Sequence, residues 1–285
     1  SWIFIYLFCK AVRIPYDHVV SGAYESIHMV VPTLCLLMAI GVMIGTWLQS
    51  GTIATIIVWG LQMINPAWLL PLTLIFCSVL SLVTGTSYGS VGSAGVAMMA
   101  IGNAMGINPG MVAGAVICGA MFGDKLSPLS DTTNLAPAVA GAKLGDHVRS
   151  MLWTTLPTYV ITFVLFTILG IQQTSGSYTE ANMSAYIGAL NGEFQLGLVT
   201  MIPAVLIIIL LLCKVNAISA LGLSSFAAGA ISFFVQHDSL QSIIRTAYNG
   251  YSTEIEEAIL KTILNRGGMG SMLQYVAIIT FAVGM

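Results

Sequence analysis

Residues 123–137 read Gly-Asp-Lys-Leu-Ser-Pro-Leu-Ser-Asp-Thr-Thr-Asn-Leu-Ala-Pro. Asp124, Lys125 and Asp131 stand there beside Ser127, Ser130, Thr132, Thr133 and Asn134, and two prolines free backbone carbonyls. Carboxylate, hydroxyl, amide and carbonyl oxygens are hard donors, which small cations accept once they shed water; the reasoning for calcium and magnesium extends to Na⁺. A carboxylate among such neighbours holds either a cation or a proton, so the two compete for one place. On composition alone, a capped loop with Ser130 or Asp131 as N-cap and Lys125 paired to an acid accounts for the stretch equally well. Asp131 is the better exchanging group, because no base adjoins it, whereas Asp124 sits next to Lys125 and suits a structural pair.

Upstream, Thr84-Gly-Thr-Ser-Tyr-Gly-Ser90 is almost entirely small or hydroxylated. Glycine costs a helix about 1 kcal/mol relative to alanine, so this run is a poor continuous helix. Irregular backbone survives in a membrane where it is buried in protein or lines an aqueous cavity, and a ligand-facing break at Thr84, Thr86 and Ser87 is the expectation. Gly102, Gly106, Gly110 and Gly114 recur every four residues and read as close helix contacts. Gly85 to Gly89 also satisfies GxSxG, and an intramembrane serine protease using Ser87 is a distant alternative. That reaction needs a histidine, and only His28 falls inside an apolar span. Asp124 and Asp131 share one short stretch, unlike the separate-helix acids of an aspartyl protease. No zinc, phosphate-loop or dinucleotide pattern is present, so no cofactor is expected.

The elements that must carry these residues are membrane helices. Only 20 of 285 residues are charged, 57% are apolar, and mean hydropathy is +0.91. Such a chain cannot cover a water-facing surface, which excludes soluble enzymes, nucleic-acid binders and disordered regulators. Between Glu25 and Asp124 lie 98 residues without Asp, Glu, Lys or Arg, room for about four spans of about 20 residues. Spans fit 27–49, 151–171, 194–213, 216–235 and 269–285, with shorter apolar pieces at 51–64, 68–83, 91–106 and 109–123. Asn65-Pro66 and Asn108-Pro109 mark breaks. Residues 237–267 mix charges with apolar positions such as Ile255 and Ile259, as a surface-lying helix does. The five cysteines are scattered packing residues. Both ends of the chain look cut.

Basic residues set a direction. Lys143 and Arg149 place the start of the 151–171 span inside, the acidic 172–193 loop falls outside, and Lys214 returns inside. Lys10 and Arg13 start the 27–49 span inside, so it and the 269–285 span run oppositely. At an offset of 243, Met29, Ala39 and Gly41 fall on Met272, Ala282 and Gly284, the trace an inverted repeat leaves. An odd net number of crossings then lies between residues 50 and 150, so one of the four pieces there is re-entrant or a half-span. Arg245, Lys261 and Arg266 fall outside against this scheme.

The run from Phe122 to Pro137, with Thr84-Gly-Thr-Ser87, Gly45-Thr-Trp-Leu-Gln-Ser-Gly51 and Arg266-Gly-Gly268, resembles the NhaC-type sodium/proton antiporter family of the ion transporter superfamily. Tyr88 stands where that family usually has Trp, and Ser90 where it has Thr. The resemblance implies an all-α polytopic membrane protein, an inverted-repeat secondary transporter with broken helices and an incomplete second half. Residues 1–171 would be the first repeat and 194–285 the start of the second, within one transporter domain. It implies exchange of Na⁺ for H⁺ across the cell (inner) membrane, or, as an alternative, Na⁺- and H⁺-coupled exchange of malate and lactate clamped by Lys125 and Asn134. Ion-site residues would be Asp131, Thr132, Thr133 and Asn134, with Asp124, Ser127, Ser130, Thr84, Thr86 and Ser87 around them. Partners are the bilayer, Na⁺, protons and, in the alternative, a small carboxylate; a homodimer is compatible with this, nucleic acid is not.

Overall fold

The computed structural model describes residues 8–9, 11–12, 15–127, 130, 133, 136–137, 140–173, 180–253, 260–261, 264–265 and 267–283. Within them the chain is helical, and no strand is present among the described residues. The α-helices are α1 (Tyr16–Gln49), α2 (Thr52–Met63), α3 (Pro66–Thr84), α4 (Ser87–Ser90) and, after a π-helical turn at Val91–Gly95, α5 (Val96–Ala104). They continue with α6 (Pro109–Leu126), α7 (Leu144–Gln173), α8 (Glu180–Glu193), α9 (Ile202–Leu212), α10 (Ala217–Phe234), α11 (Leu240–Asn249) and α12 (Met269–Val283).

The predicted breaks fall at helix starts with a clear chemistry. Asn65 Oδ1 accepts from Ala67 N at 3.0 Å and Asn108 Oδ1 from Gly110 N at 2.8 Å, each followed by a proline at the first helical position. Among the described residues, four stretches are long and apolar enough to cross a membrane: Val30–Gln49, Pro66–Thr84, Leu144–Gln172 and Ala217–Phe234. Thr52–Met63, Val199–Leu212 and Met269–Ala282 are apolar but shorter. The span expected over 194–213 therefore starts late, because Phe194 to Leu198 form a loop before a 3₁₀ turn at Val199–Met201.

Contacts fix relative directions. Cβ atoms built on Gly119 and Gly123 would strike the carbonyls of Leu74 and Ser78, so α3 and α6 run parallel and almost touch backbone to backbone. Gly95 meets Val116 and Gly102 meets Val112, so the π turn and α5 run back along α6. Ser78 pairs with Tyr159 while Gly170 abuts Ala67, which makes α7 antiparallel to α3. Ile40 meets Gly92, and Leu48, two turns on, shares a cavity of about 300 Å³ with Ala100 and Asn103; α1 thus runs with α5 and against α3. It follows that α1 ends and α3 begins at the same end of the bundle. Among the described residues between 50 and 150, three pieces traverse it, an odd number, and α2 is the piece that does not. At 12 residues, about 18 Å, it is too short to span.

Helix α2 is nonetheless core, with Thr52 to Val58, Gly60 and Leu61 all buried. Gly51, at φ 76°, supplies the left-handed residue that lets the chain turn from α1 into it. Tyr186 and Leu190, one helical turn apart, are buried where α8 packs on α2. The loop expected at 172–193 is therefore a helix in its second part, made by a contact that local composition does not show. Helix α12 lies antiparallel to α1: Gly45 packs on Gly267 and Gly268, Gly41 on Gly268 and Met272, and Gly268 N donates to Gly41 O at 2.7 Å. The opposite directions expected for these two segments are observed; Gly284 lies outside the described residues.

The expected surface helix over 237–267 is interrupted: α11 ends at Gly250 (φ 90°), and Leu260, Lys261 and Leu264 are helical again, with both leucines buried; residues 254–259, 262–263 and 266 lie outside the described residues. Helix α11 sits at the end of the bundle where α1 stops. Gln236 ties that end together, donating to Ser50 O (3.1 Å) and Gln195 O (3.2 Å) and accepting from Gln195 N (3.0 Å). Thr253 Oγ1 donates to Glu193 Oε1 at 2.8 Å, and Tyr251 packs on Phe194 with ring centroids 5.8 Å apart. Burial, then the carboxylates of Glu193 and Asp238, push the Tyr251 phenol above its ordinary range.

Candidate ion site at two converging helix ends

Because α3 and α6 run parallel with Gly123 set against Ser78 and Leu82, their C-termini finish side by side. Ser81 Oγ crosses between them to Ala120 O at 2.6 Å, and Ser78 Oγ meets the Tyr159 hydroxyl at 3.0 Å. Tyr159 stacks on Phe122 at 3.8 Å. Each helix end carries roughly half a negative charge on its unpaired carbonyls, so two ends aimed at one region favour a cation there.

The expected break after Thr84 is present. Gly85, left-handed at φ 70°, closes α3, and Thr86 is extended and caps α4 through Oγ1, accepting from Gly89 N at 3.3 Å. Thr84 Oγ1 lies 3.5 Å from Ser90 Oγ, Ser90 Oγ donates to Thr86 O at 2.9 Å, and Ser93 Oγ donates to Gly89 O at 2.7 Å. Helix α4 packs on both α3 and α6, which brings Thr84, Thr86 and Ser87 to the end of α6. The following π turn is a feature the sequence reading missed. Such turns are frequent at functional sites, and the triplet spacing of Gly89, Gly92 and Gly95 is its only trace in the sequence.

On the α6 side, Asp124 is 8% exposed and Ser127, Ser130 and Thr133 are buried. Ser127 N donates to Asp124 O at 3.2 Å, and Thr133 Oγ1 donates to Asp124 O at 3.0 Å and Lys125 O at 3.1 Å, so the chain beyond α6 folds back onto its last turn. Lys125 is exposed while Asp124 is buried, and no ion pair joins them among the described residues. The structural pair expected of Asp124 is thus not what is seen, since consecutive helical residues point about 100° apart. Asp131, Thr132 and Asn134 lie outside the described residues. Ser87 is buried, His28 is exposed in the N-terminal half of α1, and no hydrogen bond joins Ser87 to a histidine among the described residues. A serine nucleophile there lacks its base.

The expected glycine stripe holds only in part. Gly102 and Gly114 face Val112 and Phe166, but Gly106 (φ 70°) has open space around it and Gly110 meets only its own cap, Asn108. The Asn108-Pro109 turn interrupts the row, so its four members never share one face.

Residues 119–285 match the model of the Na⁺/H⁺ antiporter family, a match that begins in the last turns of α6. The chain belongs to the Na⁺/H⁺ antiporter family. It is 36% identical over 278 residues to the Na(+)/H(+) antiporter NhaC of Alkalihalophilus pseudofirmus, covering 97% of this chain and 60% of that protein. It is 37% identical over 284 residues to the malate-2H(+)/Na(+)-lactate antiporter of Bacillus subtilis, covering 100% of this chain and 61% of that protein. A more distant relative, the arginine/ornithine antiporter ArcD of Halobacterium salinarum, is 31% identical over 272 residues, 95% of this chain and 56% of that protein. The chain thus spans about 60% of the length of the first relatives it matches. No solved structure matches it. These relatives are transporters, and this family member is an all-α, multi-pass membrane protein.

Proposed function

We propose that the full-length protein exchanges Na⁺ for H⁺ across the cell membrane by alternating access, with the ion held where the ends of α3 and α6 converge. The observation that carries this reading is that convergence: two parallel helices end together beside a broken, hydroxyl-rich segment and a buried carboxylate, in a chain with almost no other charge at that depth. Asp131 is the exchanging carboxylate, with Thr132, Thr133 and Asn134 as neutral oxygen donors and Thr84, Thr86, Ser87, Ser127 and Ser130 around them. Na⁺ and H⁺ are cargo, and no resident cofactor takes part. The antiparallel packing of α12 on α1 supports an inverted-repeat plan, with residues 1–171 as one repeat and 194–285 opening the other. The 37% identical malate/lactate relative supports a second reading, coupled organic-acid exchange. Exposed Lys125 would then have to turn inward to meet a carboxylate.

In proteoliposomes containing the full-length protein, an imposed Na⁺ gradient should drive proton movement that malate and lactate leave unchanged. Asp131→Asn keeps shape and an acceptor oxygen but removes the titrating charge, so exchange should vanish while the protein still folds. Retained exchange in Asp131→Asn with loss in Asp124→Asn would move the site to the buried Asp124.

A further inference from the structure

Gln49, the last residue of α1, is 3% exposed. Its Nε2 donates to Ser242 Oγ on the first turn of α11 at 3.0 Å, while its Oε1 is buried with no hydrogen-bond partner among the described residues. A buried acceptor left unpaired costs about 1–3 kcal/mol, so this position calls for a donor or a cation that the described residues do not supply. Ile40 of the same helix meets Gly92, which lies five residues past Ser87. At 1.5 Å per residue Gln49 is therefore roughly 20 Å along the bundle from the Asp124 stretch, and belongs to a different place.

The surroundings favour a cation. Helix α1 runs 34 residues and ends here with no basic residue in its last turn, so its partial negative end falls on this spot. Thr46, one turn back on the same face, is buried, and on α11 Ser242 and Thr246 lie one turn apart against α1. Gly45 lets the two helices close until a Cβ there would be 2.7 Å from the Thr246 carbonyl oxygen. The positive end of α11 is met by its own cap, Ser239 Oγ, which accepts from Ser242 N at 3.2 Å. Arg245 and His237, the basic groups of α11 and the loop before it, are exposed, and Asp238 adjoins the cap. Gln49 Oε1 and Ser242 Oγ, on the two side chains that meet at this contact, are neutral oxygens, which suit a single positive charge.

We propose that the α1–α11 contact is a second binding site for a monovalent cation of the sodium class, with the amide oxygen of Gln49 as its buried ligand. It binds at equilibrium and needs no transport by the Asp131 site, so the two are separable. The test is radiolabelled Na⁺ binding to the purified full-length protein in an Asp131→Asn background, which leaves this site alone. Na⁺ should bind there, and Gln49→Leu should weaken that binding by about tenfold or more. Gln49→Glu, which keeps the oxygen and adds a titrating charge, should bind Na⁺ more tightly and lose it as pH falls. A folded Gln49→Leu protein with unchanged Na⁺ binding would overturn the site and leave an internal water as the partner of Oε1. If Gln49→Leu does not fold, Gln49→Glu decides alone: unchanged affinity and pH dependence would overturn the proposal equally.

Discussion

Thr133 shows how much one hydroxyl does in this molecule. Its Oγ1 serves two carbonyls of the last turn of α6, and valine of the same shape removes both bonds, leaving the Asp124 carbonyl to Ser127 N. Thr133→Val should lower stability by about 1 kcal/mol and loosen the chain beyond Leu126, read as a lower melting temperature and weaker Na⁺ protection of the full-length protein. Tyr251 gives a pH signature. Its phenol titrates higher in the folded state than in the unfolded chain, so the stability it contributes is complete below the ordinary tyrosine range, near pH 10, and is lost as pH rises above it. Melting curves from pH 8 upward should fall more steeply for the parent than for Tyr251→Phe. The hydroxyl run at Thr84 and the oxygen-rich stretch after Gly123 were legible because they interrupt long apolar tracts. Gln49, Ser81 and Tyr159 were not, because a single polar residue at a helix position gains meaning only from a partner elsewhere: Gln49 needs Ser242, and Tyr159 needs Ser78.

At the scale of elements, the α3–α6 pair is the part that positions the site. A methyl group at Gly123 would meet Leu82 N at 2.6 Å and Ser81 Cβ at 2.8 Å, with the Ser78 carbonyl nearer still. Gly123→Ala should therefore force the two helices apart, costing about 1–3 kcal/mol and reducing Na⁺-driven proton movement at equal protein level in vesicles. Gly188→Ala, with open space around it, is the matched control and should change neither. Asparagine followed by proline announced the starts of α3 and α6, since cap and ring act within three residues. The π turn and α8 were hidden for the opposite reason: one depends on packing against α6 and α9, the other on burial of Tyr186 and Leu190 against α2.

For the whole molecule, the contacts order the chain ends as firmly as the basic residues did. Single cysteines at Gln195 and Gln241, both exposed, should react from the side opposite to cysteines at Lys143 or Arg149 in the full-length protein. Labelling of Gln195 and Arg149 from one side would refute the arrangement. Helix α2 also imposes an order of events during synthesis. Its Thr55 Oγ1 lies 2.6 Å from Thr200 Oγ1, and α8 covers it, yet those partners leave the ribosome more than a hundred residues later. An 18-Å apolar helix in a nascent chain lacks the length to span, and α1 and α5 cover only part of it. In nascent chains stalled before residue 180, a cysteine at buried Ile57 should stay open to a thiol reagent, and it should close once α8 and Thr200 have emerged.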